Sequence, residues 1–139
     1  MRLCAGAVAF AVASCASPGE PTHSTFCVLV GKDWKALDGV IAEMDNYARV
    51  HALKRGKPSP NGIIYAEHDK RFIIDVSPVG PQGVEVAFFP RIPGTFKEDA
   101  ALLENFVVQT VASRFPTVRC DDVAGYGKGT IYGYDRIAI

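Results

Sequence analysis

Two neighbouring stretches, 71–77 and 84–89, alternate apolar and polar side chains with period two, and this pattern constrains the fold more than any other. Phe72, Ile74 and Val76 share one face of the first, and Val84, Val86 and Phe88 share one face of the second. Arg71, Asp75 and Glu85 fall on the opposite side. The turn-forming segment from Pro78 to Gly83 lies between them, so the two pair as antiparallel strands with one face in a core. A helix would scatter the same six apolar residues around its circumference.

The flanking segments extend this sheet. Thr25 to Val30 is a β-branched and aromatic run ended by Gly31, which reads as a first strand. Asp33 then stands at an N-cap position. Trp34, Leu37, Ile41, Met44, Ala48 and His51 recur at spacings of three and four, with Val40 and Tyr47 widening the stripe. This predicts an amphipathic helix of about five turns, broken by Gly56 and Pro58-Ser59-Pro60. Ile63 to Glu67 is a further strand, joined to the alternating run by the turn His68-Asp69-Lys70. Thr95-Phe96-Lys97-Glu98 has the spacing of a capping box. It opens a second helix through Leu102, Leu103, Phe106, Val107, Thr110, Val111 and Arg114, which Pro116 stops. Thr117 to Asp121 and Thr130 to Ile137 supply the closing strands. The order predicts an α+β fold: an antiparallel sheet with two helices on one face, a ferredoxin-like or split βαβ variant with one or two extra strands. In that topology the first strand and the strand after the second helix lie side by side.

Ahead of this domain, Arg2 precedes a short apolar run from Leu3 to Ala13 that ends in Val12-Ala13-Ser14-Cys15. The run is about half of the ~20 residues a membrane-spanning helix needs, so it reads as a removable signal and not an anchor. This arrangement resembles the signal peptide and lipobox of bacterial lipoproteins, over the first sixteen residues. The resemblance implies cleavage before Cys15 and acylation of that cysteine. With Ala16 following, where aspartate would retain a lipoprotein in the inner membrane, it also implies an outer-membrane position facing the periplasm. The chain then divides into a signal peptide (1–14), a lipidated cysteine and tether (15–24) and a single α+β domain (25–139). Pro18-Gly19-Glu20-Pro21 suits an extended tether. Ala11-Val12-Ala13 also fits ordinary secretory cleavage, which releases a soluble periplasmic or secreted protein beginning near Ser14. The four cysteines bear on the choice. Cys4 leaves with the signal in both cases. Acylation of Cys15 leaves Cys27 and Cys120 as a matched pair for a disulfide in an oxidising compartment, whereas the ordinary cut leaves Cys15 as an odd thiol. Cys27 and Cys120 also fall in the two segments that the predicted topology sets side by side.

Lys plus Arg and Asp plus Glu both total 15, and the loss of Arg2 leaves a slightly acidic chain with no electrostatic footprint for nucleic acid. Motifs for chemistry are sparse. Gly125-Tyr126-Gly127-Lys128-Gly129-Thr130 superficially resembles a phosphate loop, but Gly129 separates the lysine from the hydroxyl and a strand follows where a helix is needed; it reads as a hairpin loop. His23, His51 and His68 lack partners at metal-site spacing. His51 reads as a half-buried helix-end residue, and Glu67-His68-Asp69 as a charged hairpin tip. Asp121-Asp122 has no third oxygen ligand nearby. The basic Lys54-Arg55-Gly56-Lys57 segment reads as a solvated helix end. Neither a catalytic set, a metal site nor a cofactor is expected.

Recognition of another protein has more support. Ile73, Ala87 and Phe89 sit among Arg71, Asp75 and Glu85 on the face opposite the expected core, the composition of a contact patch. Tyr132, Tyr134 and Arg136 share one face of the last expected strand, close to Tyr126 in the glycine loop, and Tyr and Arg are enriched at binding hot spots. The sequence therefore points to a non-enzymatic, lipid-anchored module that binds an envelope or secreted protein. Partner contacts are expected at Tyr126, Tyr132, Tyr134, Arg136, Ile73 and Phe89, and an inhibitor or immunity-type role against an envelope-acting toxin or hydrolase fits. The alternatives are a structural lipoprotein of an envelope assembly and a small envelope hydrolase; the latter requires acids such as Glu67, Glu85 or Asp121 to converge.

Overall fold

The computed structural model describes residues 24–79 and 83–123. The chain runs through β1 (Phe26–Val30), α1 (Leu37–Val50), β2 (Lys54–Arg55), β3 (Ile63–Ala66), β4 (Phe72–Pro78), β5 (Val84–Pro90), α2 (Lys97–Phe106) and β6 (Thr117–Arg119). The six strands form one sheet in the order β2-β3-β4-β5-β1-β6, and every neighbouring pair is antiparallel. The fold is α+β. β1 lies between β5 and β6, so the strand after α2 is indeed the neighbour of the first. β6-β1-β5-β4 is the strand arrangement of a ferredoxin-like sheet, and β3 and β2 extend it at one edge.

The alternation sorts the sheet into two faces. Phe26, Val28 and Val30, Phe72, Ile74 and Val76, and Val84, Val86 and Phe88 all point into one apolar cluster. From α1 it receives Val40, Met44, Tyr47 and Ala48, and from α2 and the turn beyond it Ala100, Leu103, Val107 and Val111. Both helices therefore cover the same face. Two ion pairs reinforce the layer: Arg114 donates to Glu43 on α1, and Arg119 Nη1 donates to Glu104 on α2 at 2.8 Å. At the outer edge, Asp45 of α1 accepts hydrogen bonds from Arg55 of β2 and from the Tyr65 hydroxyl, both at 2.7 Å. Arg55 is thus a strand residue with a carboxylate partner, and the solvated helix end expected for that segment is replaced by a sheet edge.

Local features differ from expectation in instructive ways. Asp33 does cap a helical turn, accepting from the Lys35 amide at 2.8 Å, but the turn over Trp34–Ala36 is 3₁₀ and leaves Trp34 56% exposed. The expected capping box at Thr95 does not form. Phe96 is the N-cap, in a left-handed conformation with φ 56°, and the Thr95 hydroxyl donates instead to the Ile92 carbonyl at 2.6 Å. That one-residue shift brings the Phe96 ring within 5.3 Å of Phe72. Packing of an aromatic ring thus displaces a local polar cap. After Phe106 the helix widens into a π turn over Val107–Val111, which keeps Val107 and Val111 in the core and leaves Val108 facing out; Leu102, earlier on α2, is exposed as well.

The second face of the sheet is not the solvated surface that its polar residues suggested. Ile73 and Phe89, opposite one another on β4 and β5, are 0% exposed, and they cluster with Ala66 and Ala87. Asp75, Ser77 and Glu85 are buried there as well. The Ser77 hydroxyl donates to Asp75 at 3.2 Å, and both carboxylates take part in further interactions. These partners are what allow charge to sit on a buried face. The contact patch expected at Ile73 and Phe89 is therefore interior.

Candidate functional site

Three elements meet around a cavity of about 370 Å³: the end of α1, the turn between β3 and β4, and the start of α2. Each arrives by an unusual backbone turn. α1 ends at His51, whose amide returns to the Tyr47 carbonyl at 3.0 Å; Ala52 then adopts φ 56°, and the Leu53 amide reaches the Ala48 carbonyl at 2.8 Å. This is a Schellman-like ending built on alanine where glycine is usual. Lys70, with φ 58°, closes the β3–β4 turn, its amide donating to the Glu67 carbonyl at 2.7 Å. Phe96 opens α2 from the same left-handed region. These are the three non-glycine residues with positive φ among the described residues; Ala52 and Phe96 line the cavity, and Lys70 lies in the turn whose Glu67, His68 and Arg71 line it. Such backbone costs about 1–3 kcal/mol per residue and tends to gather where a site needs a fixed geometry.

Inside, one set of charges is already spent. Glu67 accepts from the Arg71 side chain through Nε at 3.1 Å and Nη2 at 2.7 Å, and from the backbone amides of Asp69 and Arg71. The Arg71 guanidinium beside Glu67, aided by those amides, holds its carboxyl down at about 2. The guanidinium also lies over the Phe96 ring, 5.2 Å from its centre.

A second set is unspent. Tyr47 is only 5% exposed and lines the cavity, yet its hydroxyl makes no hydrogen bond to a described residue. Burial, and secondarily the charge of Asp99, pushes that phenol up to about 12, so it stays protonated. Asp99, in the first turn of α2, makes neither a hydrogen bond nor an ion pair with a described residue. His51 stacks on the Tyr47 ring with centres 4.1 Å apart, and His68 stands on the opposite lip. His51 is exposed, not half-buried as its place in the stripe suggested.

The sequence-derived site residues are distributed differently. Cys27 and Cys120 form a disulfide, with Cα atoms 5.5 Å apart, one position beyond the Val28–Arg119 pair of β1 and β6. Cys15, Tyr126, Tyr132, Tyr134 and Arg136 lie outside the described residues. Glu67 borders the cavity on the helix-bearing side, whereas Glu85 is buried on the other face, so these two acids do not converge. Among the described residues, one group of His, Cys, Asp and Glu atoms is close enough to hold a metal ion: Cys27, Glu85 and Cys120. Its sulfurs are committed to the disulfide. Tyr47, Asp99 and Phe96 were missed. Tyr47 read as one member of an apolar stripe, and nothing in the pattern singled out Asp99; only the fold brings them together. No protein family, curated protein or solved structure matches this chain.

Proposed function

We propose that this chain is a lipid-anchored binding module of the bacterial envelope, held at the outer membrane through Cys15, that recognises an envelope or secreted protein without chemical turnover. The observation that carries the binding role is the unspent polarity of the cavity. A protonated phenol and a carboxylate sit in a site whose other charges are mutually satisfied, framed by three strained turns. Groups held ready in this way suit recognition, because their desolvation is already partly met and a partner need supply only complementary atoms. The disulfide between Cys27 and Cys120 suits an oxidising compartment, in accord with the lipoprotein resemblance of residues 1–16. An inhibitor or immunity-type role against a toxin or hydrolase is the form of this reading that the small, stapled domain favours.

Two measurements test it. A fatty-acid analogue should label the wild-type chain in a Gram-negative host and leave Cys15→Ser unlabelled; equal labelling removes the lipid anchor. Affinity capture from periplasmic, membrane and secreted fractions should return one stoichiometric protein. Capture of a large constitutive membrane complex would transfer the assignment to an assembly role, and capture of nothing would end the protein-binding reading.

A further inference from the structure

We infer that the cavity between α1, the β3–β4 turn and α2 receives a primary ammonium group, held by the Asp99 carboxylate and the Tyr47 hydroxyl, with its carbon chain against Leu53, Phe72 and Phe96. This deepens the binding-module reading and rests on it.

The argument is an accounting of donors and acceptors. Arg71 gives Nε and Nη2 to Glu67 and places its face on Phe96, so the strongest cation near the cavity is neutralised and occupied. Glu67 in turn has its acceptors filled by four hydrogen bonds. What remains is Asp99, which makes no hydrogen bond to a described residue and feels Arg71 only through space, and one protonated phenol whose oxygen accepts; the lining thus sets two carboxylates, Glu67 and Asp99, against the single guanidinium of Arg71. An anion would meet two carboxylates, with the one guanidinium already hydrogen-bonded to Glu67. A divalent metal would need converging ligands, and the His, Asp and Glu atoms of this cavity do not form such a group. A compact ammonium, with three donors and a unit positive charge, matches a carboxylate and a hydroxyl. The apolar members of the lining then suit a run of methylenes: Leu53 beside the end of α1, Phe72 on β4 and Phe96 opposite. At about 370 Å³ the cavity lies at the small end of ligand pockets, which span roughly 300–1,000 Å³, so it accepts a single aliphatic amine arm. Such an arm is offered by a lysine on a partner protein and by a free polyamine alike.

The test titrates the oxidised full chain, in a non-ionic detergent, with Nα-acetyl-lysine methylamide, spermidine and the uncharged Nα-acetyl-norleucine methylamide. Binding is followed through the Tyr47 and His51 ring resonances. Both amines should shift these signals saturably and the norleucine derivative should not. Asp99→Asn should weaken amine binding about tenfold or more, and Tyr47→Phe about threefold, because one removes a charged partner and the other a neutral one. Tighter binding of the lysine derivative assigns the arm to a partner protein, and tighter binding of spermidine to a free polyamine. Equal binding of the norleucine derivative, or amine binding indifferent to Asp99→Asn, overturns the assignment. Asp99 lies on the partly exposed first turn of α2, so Asp99→Asn decides the matter even where Tyr47→Phe disturbs folding. A protein captured equally well by wild type and by Asp99→Asn sinks the ammonium site and leaves the binding module standing. Failure of the wild type to capture any protein removes the module, while the titration still decides the ammonium.

Discussion

At the scale of single residues, the cavity sets how the domain responds to acid. Glu67 is held at about 2 in the folded chain, chiefly by the Arg71 side chain, against roughly 4.3 for a free glutamate. A carboxyl with a depressed folded pKa binds its proton more readily in the unfolded chain. Its contribution is therefore complete above about pH 5 and is lost as the pH falls toward 2. Asp45 acts in the same direction: burial pushes it up, but the hydrogen bonds from Arg55 and Tyr65 prevail and lower it. The urea midpoint should thus decline between pH 5 and pH 2, and Arg71→Ala should make that decline shallower without removing it. An identical acid profile in the variant would show that the Glu67–Arg71 pair does not couple to folding. The sequence marked Glu67 and His68 as a hairpin tip and placed them correctly at the β3–β4 turn. Their joining with Tyr47 and Asp99 was beyond it, because no periodicity links positions that far apart along the chain.

Elements show where local rules yield to packing. Gly39 lies inside α1, where alanine would ordinarily gain about 1 kcal/mol. A Cβ at that position would stand 2.6 Å from the tip of the Phe115 ring, which packs there from the segment after α2. Gly39→Ala should therefore destabilise the domain by about 1–3 kcal/mol in chemical denaturation. Adding Phe115→Leu should restore the helical gain; a stabilising single substitution would show that the ring moves aside freely. Leu103, wholly buried where α2 meets the sheet, is the element's main anchor, and Leu103→Ala should cost about 2–5 kcal/mol. Both helices were legible from their 3.6-residue stripes. Their ends were less so. The Thr95 capping box gave way to a left-handed Phe96 at the N-cap, whose ring packs on Phe72, and Trp34 left the stripe when the first turn tightened to 3₁₀. Hydrophobicity locates an element, whereas its terminus is settled by contacts with residues far away in sequence.

For the molecule as a whole, the neighbouring of β1 and β6 followed from element order, and the core-facing side of β4 and β5 from the alternation. The second face did not, because alternation reports what a side chain is and not whether polar groups beside it will find partners. Asp75 and Glu85 found them, and Ile73 and Phe89 became interior. The disulfide closes a separation of 93 residues, and in the chain-entropy treatment its removal costs about 4–5 kcal/mol. Urea unfolding of Cys27→Ser/Cys120→Ser beside the oxidised wild type checks this, and equal midpoints would show that the bridge does not constrain the unfolded chain. The position of β1 has a consequence in time. It is the first described strand to leave the ribosome and the one that must sit between β5 and β6, the last two described strands to be made. At about 5–20 residues per second, the 93 residues from Cys27 to Cys120 take roughly 5–20 s to appear. Throughout that interval Cys27 lacks its mate, and even after β5 has paired with one side of β1 the other side waits for β6. The last seam of the sheet and its covalent staple therefore close together, and only after β6 has been made.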